Sequence, residues 1–277
     1  QWLLARYATY NGSDPRVAPA TLNCIAHVEL GLGGYGIDGG IYALVRALVR
    51  VAELLGVEFE FGRPVRGLVL DNHRVVGVET DTGVVQADAV VANADAAHVK
   101  RDLLPAPSGD PLPAAAPSMS GFNGIYRAAF LSAPRPAHTV LFPDDYREEF
   151  VDIFDRDRPP RDPTVYLCAQ SVCHQRDRWT DAEPLFVMAN APAEPEHDAR
   201  PASVYRELSA TIEERLIGAE LLGPQDELLW QRTPRQLADQ FPGSRGALYG
   251  AASNSSLAAF RRPPNRVSRS EEHTSEL

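Results

Sequence analysis

The stretch Val57-Glu-Phe-Glu-Phe-Gly-Arg-Pro-Val65-Arg-Gly-Leu-Val-Leu-Asp71-Asn-His-Arg74-Val-Val-Gly-Val-Glu-Thr80, running on to Asp88-Ala-Val-Val-Ala92, decides the fold class. Val57, Phe59 and Phe61 alternate with Glu58 and Glu60, the period of a strand with one wet face. Val65–Leu70 and Arg74–Thr80 read as two strands joined by the turn Asp71-Asn72-His73. Asp81-Thr82-Gly83 makes a second turn into Val84–Gln86, and Asp88–Ala92 is a short apolar run suited to a buried parallel strand. The block therefore predicts a strand, a small antiparallel meander and a return strand.

Immediately upstream the period is helical. In Ile41–Leu55 the only polar side chains are Arg46, Arg50 and Glu53, spaced four and three apart on one narrow stripe. That pattern predicts a mostly buried helix, ended by Gly56. Pro19–Val28 reads as a short helix or an apolar loop. Between them lies Gly31-Leu-Gly33-Gly34-Tyr35-Gly36, which satisfies G-x-G-x-x-G, with Glu58 22 residues after Gly36. A dinucleotide fingerprint needs an apolar strand before it and its third glycine inside the opening helix. Here Glu29 interrupts the preceding segment and Ile37-Asp38-Gly39-Gly40 intervene before Ile41, so the glycines read better as a loop.

Downstream, five prolines between 105 and 118 mark an irregular connector. Strands are expected at Ala137–Phe142, Thr164–Val172, Leu185–Ala191 and Glu227–Gln231. Helices are expected over Asp144–Phe154 and Ser203–Ile217. The alternation predicts a second sheet with flanking helices.

Composition narrows the function classes. The chain has 277 residues, 44% apolar and 23% charged, with net charge −10. At ~150 residues per domain this is one large domain or two small ones, and whole-chain disorder is excluded. An acidic chain with no Lys/Arg cluster beyond pairs such as Arg261–Arg262 is a poor nucleic-acid binder. No run of ~18 apolar residues is present to cross a bilayer. Cys24, Cys168 and Cys173 make neither a disulfide framework nor a metal site, so no metal is expected and a reducing compartment is the default. Of the 27 basic residues only Lys100 is lysine, which with abundant Ala and Pro points to a GC-rich coding bias.

Several blocks share an order with a known family. RYATYNGSDPRVAPATLN (6–23), HVEL (27–30), GIDGGIYALVRAL (36–48), VANADAAHVKRDLL (91–104), AHTVLFPDDYREEFVDIF (137–154), DPTVYLCAQ (162–170) and LAAFRRPPNRV (257–267) together resemble the bacterial-type phytoene desaturases and related FAD-dependent carotenoid desaturases. The resemblance implies an α/β fold, α+β in parts. A truncated FAD-binding Rossmann-type domain would be interleaved with a mixed-sheet substrate domain. Residues 1–56 would be a substrate- and flavin-facing segment, 57–104 part of the FAD domain, and 105–267 the substrate domain. Residues 268–277 resemble a translated sequencing adapter, or else a polar tail, and stand outside this reading. The family's terminal strand–GxGxxG–helix and its glycine-rich C-terminal motif are not found, so the chain is expected to be an internal part of a longer protein.

The same resemblance implies cofactor contacts. Val65 would place its backbone against the adenine, Asn93 and Asp95 would sit near the cofactor, and the Gly39-Gly40 turn would bring the 41–55 helix to the flavin. Glycines allow close backbone approach, and a helix N-terminus favours the anionic reduced ring. Asn93 and Asp95 read equally as N-caps of a helix over Ala96–Leu104. The implied activity is desaturation of a long apolar, phytoene-like carotenoid, with an isomerase, an amine-oxidase-type enzyme or a cofactor-free ligand-binding module as alternatives. Tyr7 and Tyr35, with Tyr10 and Tyr42, flank the flavin-facing blocks and could line a polyene tunnel or simply pack. Asp14 and His27 are candidates for proton handling, but Asp14-Pro15 is also a turn signal, and no catalytic residue is assigned. An insoluble substrate implies a cytoplasmic protein in peripheral contact with a membrane. Residues 118–129 (SMSGFNGIYRAA) are more polar than the strand the family carries there, which puts their substrate contacts in doubt.

Overall fold

A computed structural model describes residues 2–72, 74–105, 116–174 and 179–255. They form two antiparallel sheets. Strands β1 (Val65–Asp71), β2 (Arg74–Thr80) and β3 (Gly83–Gln86) make a meander in sequence order. Strands β4 (Ser120–Ala129), β5 (His138–Leu141), β6 (Val165–Ala169), β7 (Ala182–Ala191) and β8 (Glu227–Arg232) build a five-stranded sheet in the order β5-β6-β7-β4-β8.

The meander follows the sequence reading closely. Asn72 takes φ 48°, the left-handed conformation Asn tolerates in a tight turn. Thr80 pairs with Gly83 across the two-residue turn Asp81-Thr82. The expected outer strands do not form, however. Residues 57–60 and 89–93 lie outside any strand, and Phe61 and Val91 stand 83% and 93% exposed. Extended segments need a neighbour to satisfy their N–H and C=O groups, and none of the described strands lies beside these two.

The Ile41–Leu54 helix forms where its periodicity places it. A Schellman closure ends it: Gly56, at φ 87°, donates to Glu53 O and Val57 to Ala52 O. Its predicted burial is overturned. No residue of the helix is buried, and Leu54 is 81% exposed. Periodicity fixed the element; burial depends on a partner that the described residues do not supply.

In the larger sheet, β7 and β8 both run antiparallel to β4, so they are parallel to each other on either side of it. The Ala202–Gly218 helix makes the crossover between them. It covers one sheet face. Leu208, Ile212 and Leu216 meet Phe122, Tyr126, Val165, Leu167, Leu185, Val187 and Ala189 in the main core. Alternate residues of each strand feed that core, the period-two rule of a one-sided sheet. β6 ends at Ala169, short of the expected Val172, and the chain continues as a helix over Gln170–His174.

The interior strand β4, between β7 and β8, lies in SMSGFNGIYRAA, the stretch whose polarity put its substrate contacts in doubt. Its small residues are there because β7 and β8 flank it closely. A Cβ on Gly124 would stand 3.3 Å from Leu228 and 3.4 Å from the Tyr126 ring. The buried triad of Arg135 with Glu183, at 3.0 Å, and Asp226, at 3.9 Å, fastens the ends of β4 and β7. Most of the proline-rich connector, Cys173 and His174 as side chains, and the block 257–267 with the adapter-like tail fall outside what is described.

Candidate functional site

On the face of the five-stranded sheet turned away from the main core, the helical turns Tyr146–Phe150 and Val151–Asp155 cover one corner, where Asn190 of β7 donates to Glu149. Register places two rows on this face. One runs His138, Cys168, Phe186, Ile125, Trp230; the next runs Val140, Tyr166, Met188, Asn123, Arg232. Each row crosses all five strands, about 19 Å at the ~4.8 Å spacing of neighbouring strands. Phe186, Met188, Ile125 and Tyr166 are half-buried, neither core nor free surface. Tyr166 meets Phe186 edge-on at 6.4 Å and stacks with the His138 ring at 6.0 Å, with Tyr166 Oη and His138 Nδ1 2.8 Å apart. Arg232 lies over Trp230 at 5.0 Å. The result is a largely apolar floor with polar groups at its two edges.

The N-terminal segment closes part of this floor. Trp2 packs against Phe142 and Tyr146, and Arg6 sits over Tyr166 at 5.5 Å. Met119 donates to Gly12 O, and Ser253 to Ser13 Oγ, holding the segment in place. Tyr7 is buried, stacks edge-on with Tyr10 at 5.3 Å, and donates to Glu29 Oε1 at 3.1 Å. Burial, reinforced by that carboxylate, pushes the Tyr7 phenol upward.

Beside the floor, Glu149 is buried (1% exposed) beneath the helical turn Tyr146–Phe150, whose N-cap is Asp145. It accepts from Thr164 Oγ1 and, at 2.9 Å, from Asn190 Nδ2. Burial raises its pKa, opposed by those hydrogen bonds and by the charge of Arg6.

The other candidate residues fall on separate elements. Gly39 and Gly40, at φ 84° and 88°, lead directly into the Ile41 helix, whose N-terminus no side chain caps. Uncapped N–H groups after a glycine turn can face an anionic or electron-rich group. Val65 opens β1. Asp95 caps the turn Ala96–His98, accepting from Ala97 N at 2.9 Å, and Asn93 is exposed beside it. Tyr35 is 91% exposed, far from the burial of Tyr7. Asp14 is held by Arg16 at 2.7 Å, and Arg16 reaches on to Asp155 at 2.6 Å, so this carboxylate staples the segment to the 151–155 turn. His27 is exposed, next to Gly31. The Gly31–Gly36 motif begins inside the helical turn Val28–Leu32 and has no strand before it among the described residues, which removes the fingerprint reading. Of these residues only the Gly39-Gly40 turn, with the uncapped helix N-terminus behind it, has chemistry suited to lie against a flavin, and a strand–GxGxxG–helix cradle is not among the described residues.

The sequence reading missed the His138–Tyr166 pair and Glu149. All three lay inside recognised blocks, but only the β5–β6 register brings His138 and Tyr166 onto one face, and Glu149 sits in the helical turn Tyr146–Phe150 with no pattern in the sequence that marks it. Among the described residues, no group of three His, Cys, Asp or Glu is placed to hold a metal, and no helix is long and apolar enough to cross a membrane.

Comparison with known proteins follows the same lines. A 1-hydroxycarotenoid 3,4-desaturase from Flavobacterium sp. is 34% identical over 274 residues, covering 95% of this chain and 54% of the relative. A hydroxyneurosporene desaturase from Rubrivivax gelatinosus is 34% identical over 277 residues, covering 95% and 51%. The chain therefore spans about half the length of these curated relatives. An oxidoreductase from Methanosarcina mazei shares the fold, with TM-score 0.54 at 17% identity over 93% of this chain and 63% of that one. The family model of the flavin containing amine oxidoreductases matches residues 5–249, and the chain belongs to that family.

Proposed function

We propose that this chain serves an FAD-dependent oxidoreductase that desaturates a long carotenoid polyene. The observation that carries the reading is the half-buried apolar sheet face. Phe186, Met188, Ile125 and Trp230 offer a continuous floor for a hydrocarbon, roofed in part by the segment bearing Arg6 and Tyr7. The names of the carotenoid desaturases among the relatives agree with it.

Bound FAD would supply the acceptor for the hydride that leaves the polyene. The chain's residues do the rest: the floor orients the polyene and excludes water, so that proton and hydride leave adjacent carbons of a fixed chain. Gly39 and Gly40 would let backbone approach the flavin, with Val65, Asn93 and Asp95 on the cofactor side and Tyr7 on the substrate side. Tyr35 belongs with the exposed apolar side chains of residues 28–61. In this reading 57–104 sits with the cofactor and 116–255 with the substrate. The polyene is drawn from a bilayer, so the protein works at the cytoplasmic surface of a membrane by peripheral contact.

The test is a chimera in which the matched 95% of this chain replaces the aligned half of the Rubrivivax gelatinosus relative. Expressed in a host that accumulates an acyclic carotenoid, it should move the pigment absorption to longer wavelength as conjugation grows. A folded, flavin-loaded chimera that leaves the pigments unchanged contradicts the proposal.

A further inference from the structure

Asp14, Glu149, Asp152, Glu183 and Glu194 are the buried acidic residues among those described. Four of them are ion-paired. Asp14 meets Arg16 at 2.7 Å, Asp152 meets Arg158 at 2.7 Å, Glu183 meets Arg135 at 3.0 Å and Glu194 meets Arg200 at 3.8 Å. Glu149 has only neutral donors in contact, Thr164 Oγ1 on Oε2 and Asn190 Nδ2 on Oε1. Burying a carboxyl without a contacting countercharge costs stability, and such a group in a cleft wall marks a functional position.

Glu149 stands between the floor and water. Thr164 lies two residues before Tyr166, and Asn190 two residues after Met188, so strand alternation puts both on the floor face. They make the next row, about 7 Å along the strands from Tyr166 and Met188. Glu149 closes that row from the turn Tyr146–Phe150. On its other side is a cleft of about 600 Å³, lined also by Asp145, Glu148, Asp152, Arg156 and Arg158. Phe186, Met188 and Ile125 offer no base to a hydrocarbon lying on them. Asp14 is engaged by Arg16 and His27 is exposed, so neither competes for the role.

We propose that Glu149 is the acceptor of the proton that the polyene loses. One C–H bond breaks as its hydrogen and electron pair leave as hydride for the flavin. The neighbouring C–H bond then breaks, and its electrons form the new double bond. Its proton passes to the Thr164 hydroxyl, which gives its own proton to Glu149 Oε2. The carboxyl releases that proton to water in the cleft and is an acceptor again. The inference rests on the polyene desaturation proposed above and adds the base that the apolar rows lack.

The surroundings suit this role. Burial raises the carboxyl, opposed by the hydrogen bonds from Thr164 and Asn190 and by the charge of Arg6. Arg215 of the crossover helix and the Tyr146 phenol of its own turn also face it. A carboxylate of raised pKa takes a proton more readily than an ordinary one.

The experiment follows flavin reduction by an acyclic carotenoid in the anaerobic chimera across pH 5–8. The rate should rise with pH as Glu149 ionises. Glu149→Gln keeps the size and an acceptor oxygen. It should slow flavin reduction about 100-fold or more and flatten the pH profile. Flavin content and the carotenoid concentration at half-maximal rate should stay unchanged, which a merely structural role would not give. A second readout needs no turnover: in the purified chain, the infrared carboxyl band that Glu149→Gln removes should titrate above the ordinary glutamate range of about 4.3. A folded Glu149→Gln chimera within about twofold of the unaltered rate overturns the inference and leaves the proposed function standing. A band that titrates at or below the ordinary range overturns it equally. Where Glu149→Gln does not fold, the unaltered chimera decides, since a rate independent of pH overturns the inference. An unaltered chimera whose flavin is never reduced contradicts the polyene reading and this assignment with it.

Discussion

A Cβ on Gly243 would stand 2.6 Å from the backbone nitrogen of His98 and 3.1 Å from Asp95 Oδ1. The loop after the Pro234–Gln240 helix and the helical turn beginning at Ala96 therefore close on each other with no room for a side chain. This contact joins the segment that follows the meander to the part of the chain carrying the larger sheet. Gly243 also holds φ 86°, where only glycine is unstrained.

Replacing Gly243 by Ala should therefore cost about 2–4 kcal/mol, from left-handed strain and a forced shift of the 96–98 turn together. Urea unfolding measures it. A loss under about 0.5 kcal/mol, the range of ordinary surface changes, would show that the two segments are not in contact in solution.

Glu149 gives stability a pH dependence of defined sign. Its carboxyl is raised in the fold, chiefly by burial, so the folded chain holds a proton that the unfolded chain releases in the ordinary glutamate range, about 4.3. This residue's contribution is best below that range and is lost as pH rises through the folded value. Glu149→Gln removes that component. Thermal unfolding across pH 5–8 should show a smaller fall with rising pH in the variant than in the unaltered chain; an identical slope sinks the assignment. The Thr164 and Asn190 hydrogen bonds are why Gln, which keeps an amide oxygen as acceptor, is the informative change.

Arg135 is buried with Glu183 and donates to the carbonyls of Ala129 and Leu221. Arg135→Met leaves the Glu183 carboxylate buried without its ion-pair partner, at a cost of about 3–5 kcal/mol. The double change Arg135→Met with Glu183→Leu should recover a good part of that loss. If the double variant is as unstable as the sum of both singles, the two residues do not act as a pair.

The Ile41–Leu54 helix makes an opposite prediction. Its apolar side chains are exposed, so Leu48→Glu should change the unfolding free energy by no more than about 0.5 kcal/mol while reducing self-association. Light scattering and thermal unfolding, run side by side, test it. A large drop in melting temperature would mean that Leu48 is buried in solution.

How much of this could be seen in the sequence follows from how local each interaction is. The β1–β3 meander has its partners within 22 residues, and both tight turns are spelled out by Asp, Asn and Gly, so it was readable. The Ala202–Gly218 helix was readable from Val204, Leu208, Ile212 and Leu216 on one face. The strand at β4 was not, because Ser120, Gly121, Asn123 and Gly124 break the apolar pattern. They are tolerated only because strands from 60 and 100 residues downstream flank them. The strands expected at 57–61 and 88–92, and the burial expected of the 41–54 helix, were wrong for a related reason: a period shows which residues want a partner, not whether one is there. At the site, Tyr7 and the glycine pair could be named from recognised blocks. The His138–Tyr166 pair could not, since it exists only through the β5–β6 register.

The most direct test starts with the chimera's flavin fully oxidised under anaerobic conditions, adds an acyclic carotenoid as the only reductant, and reads the visible absorption. Hydride transfer from the polyene should bleach the oxidised flavin band, with a matching growth of longer-wavelength carotenoid absorption. A flavin band that stays oxidised while the polyene is bound would contradict it.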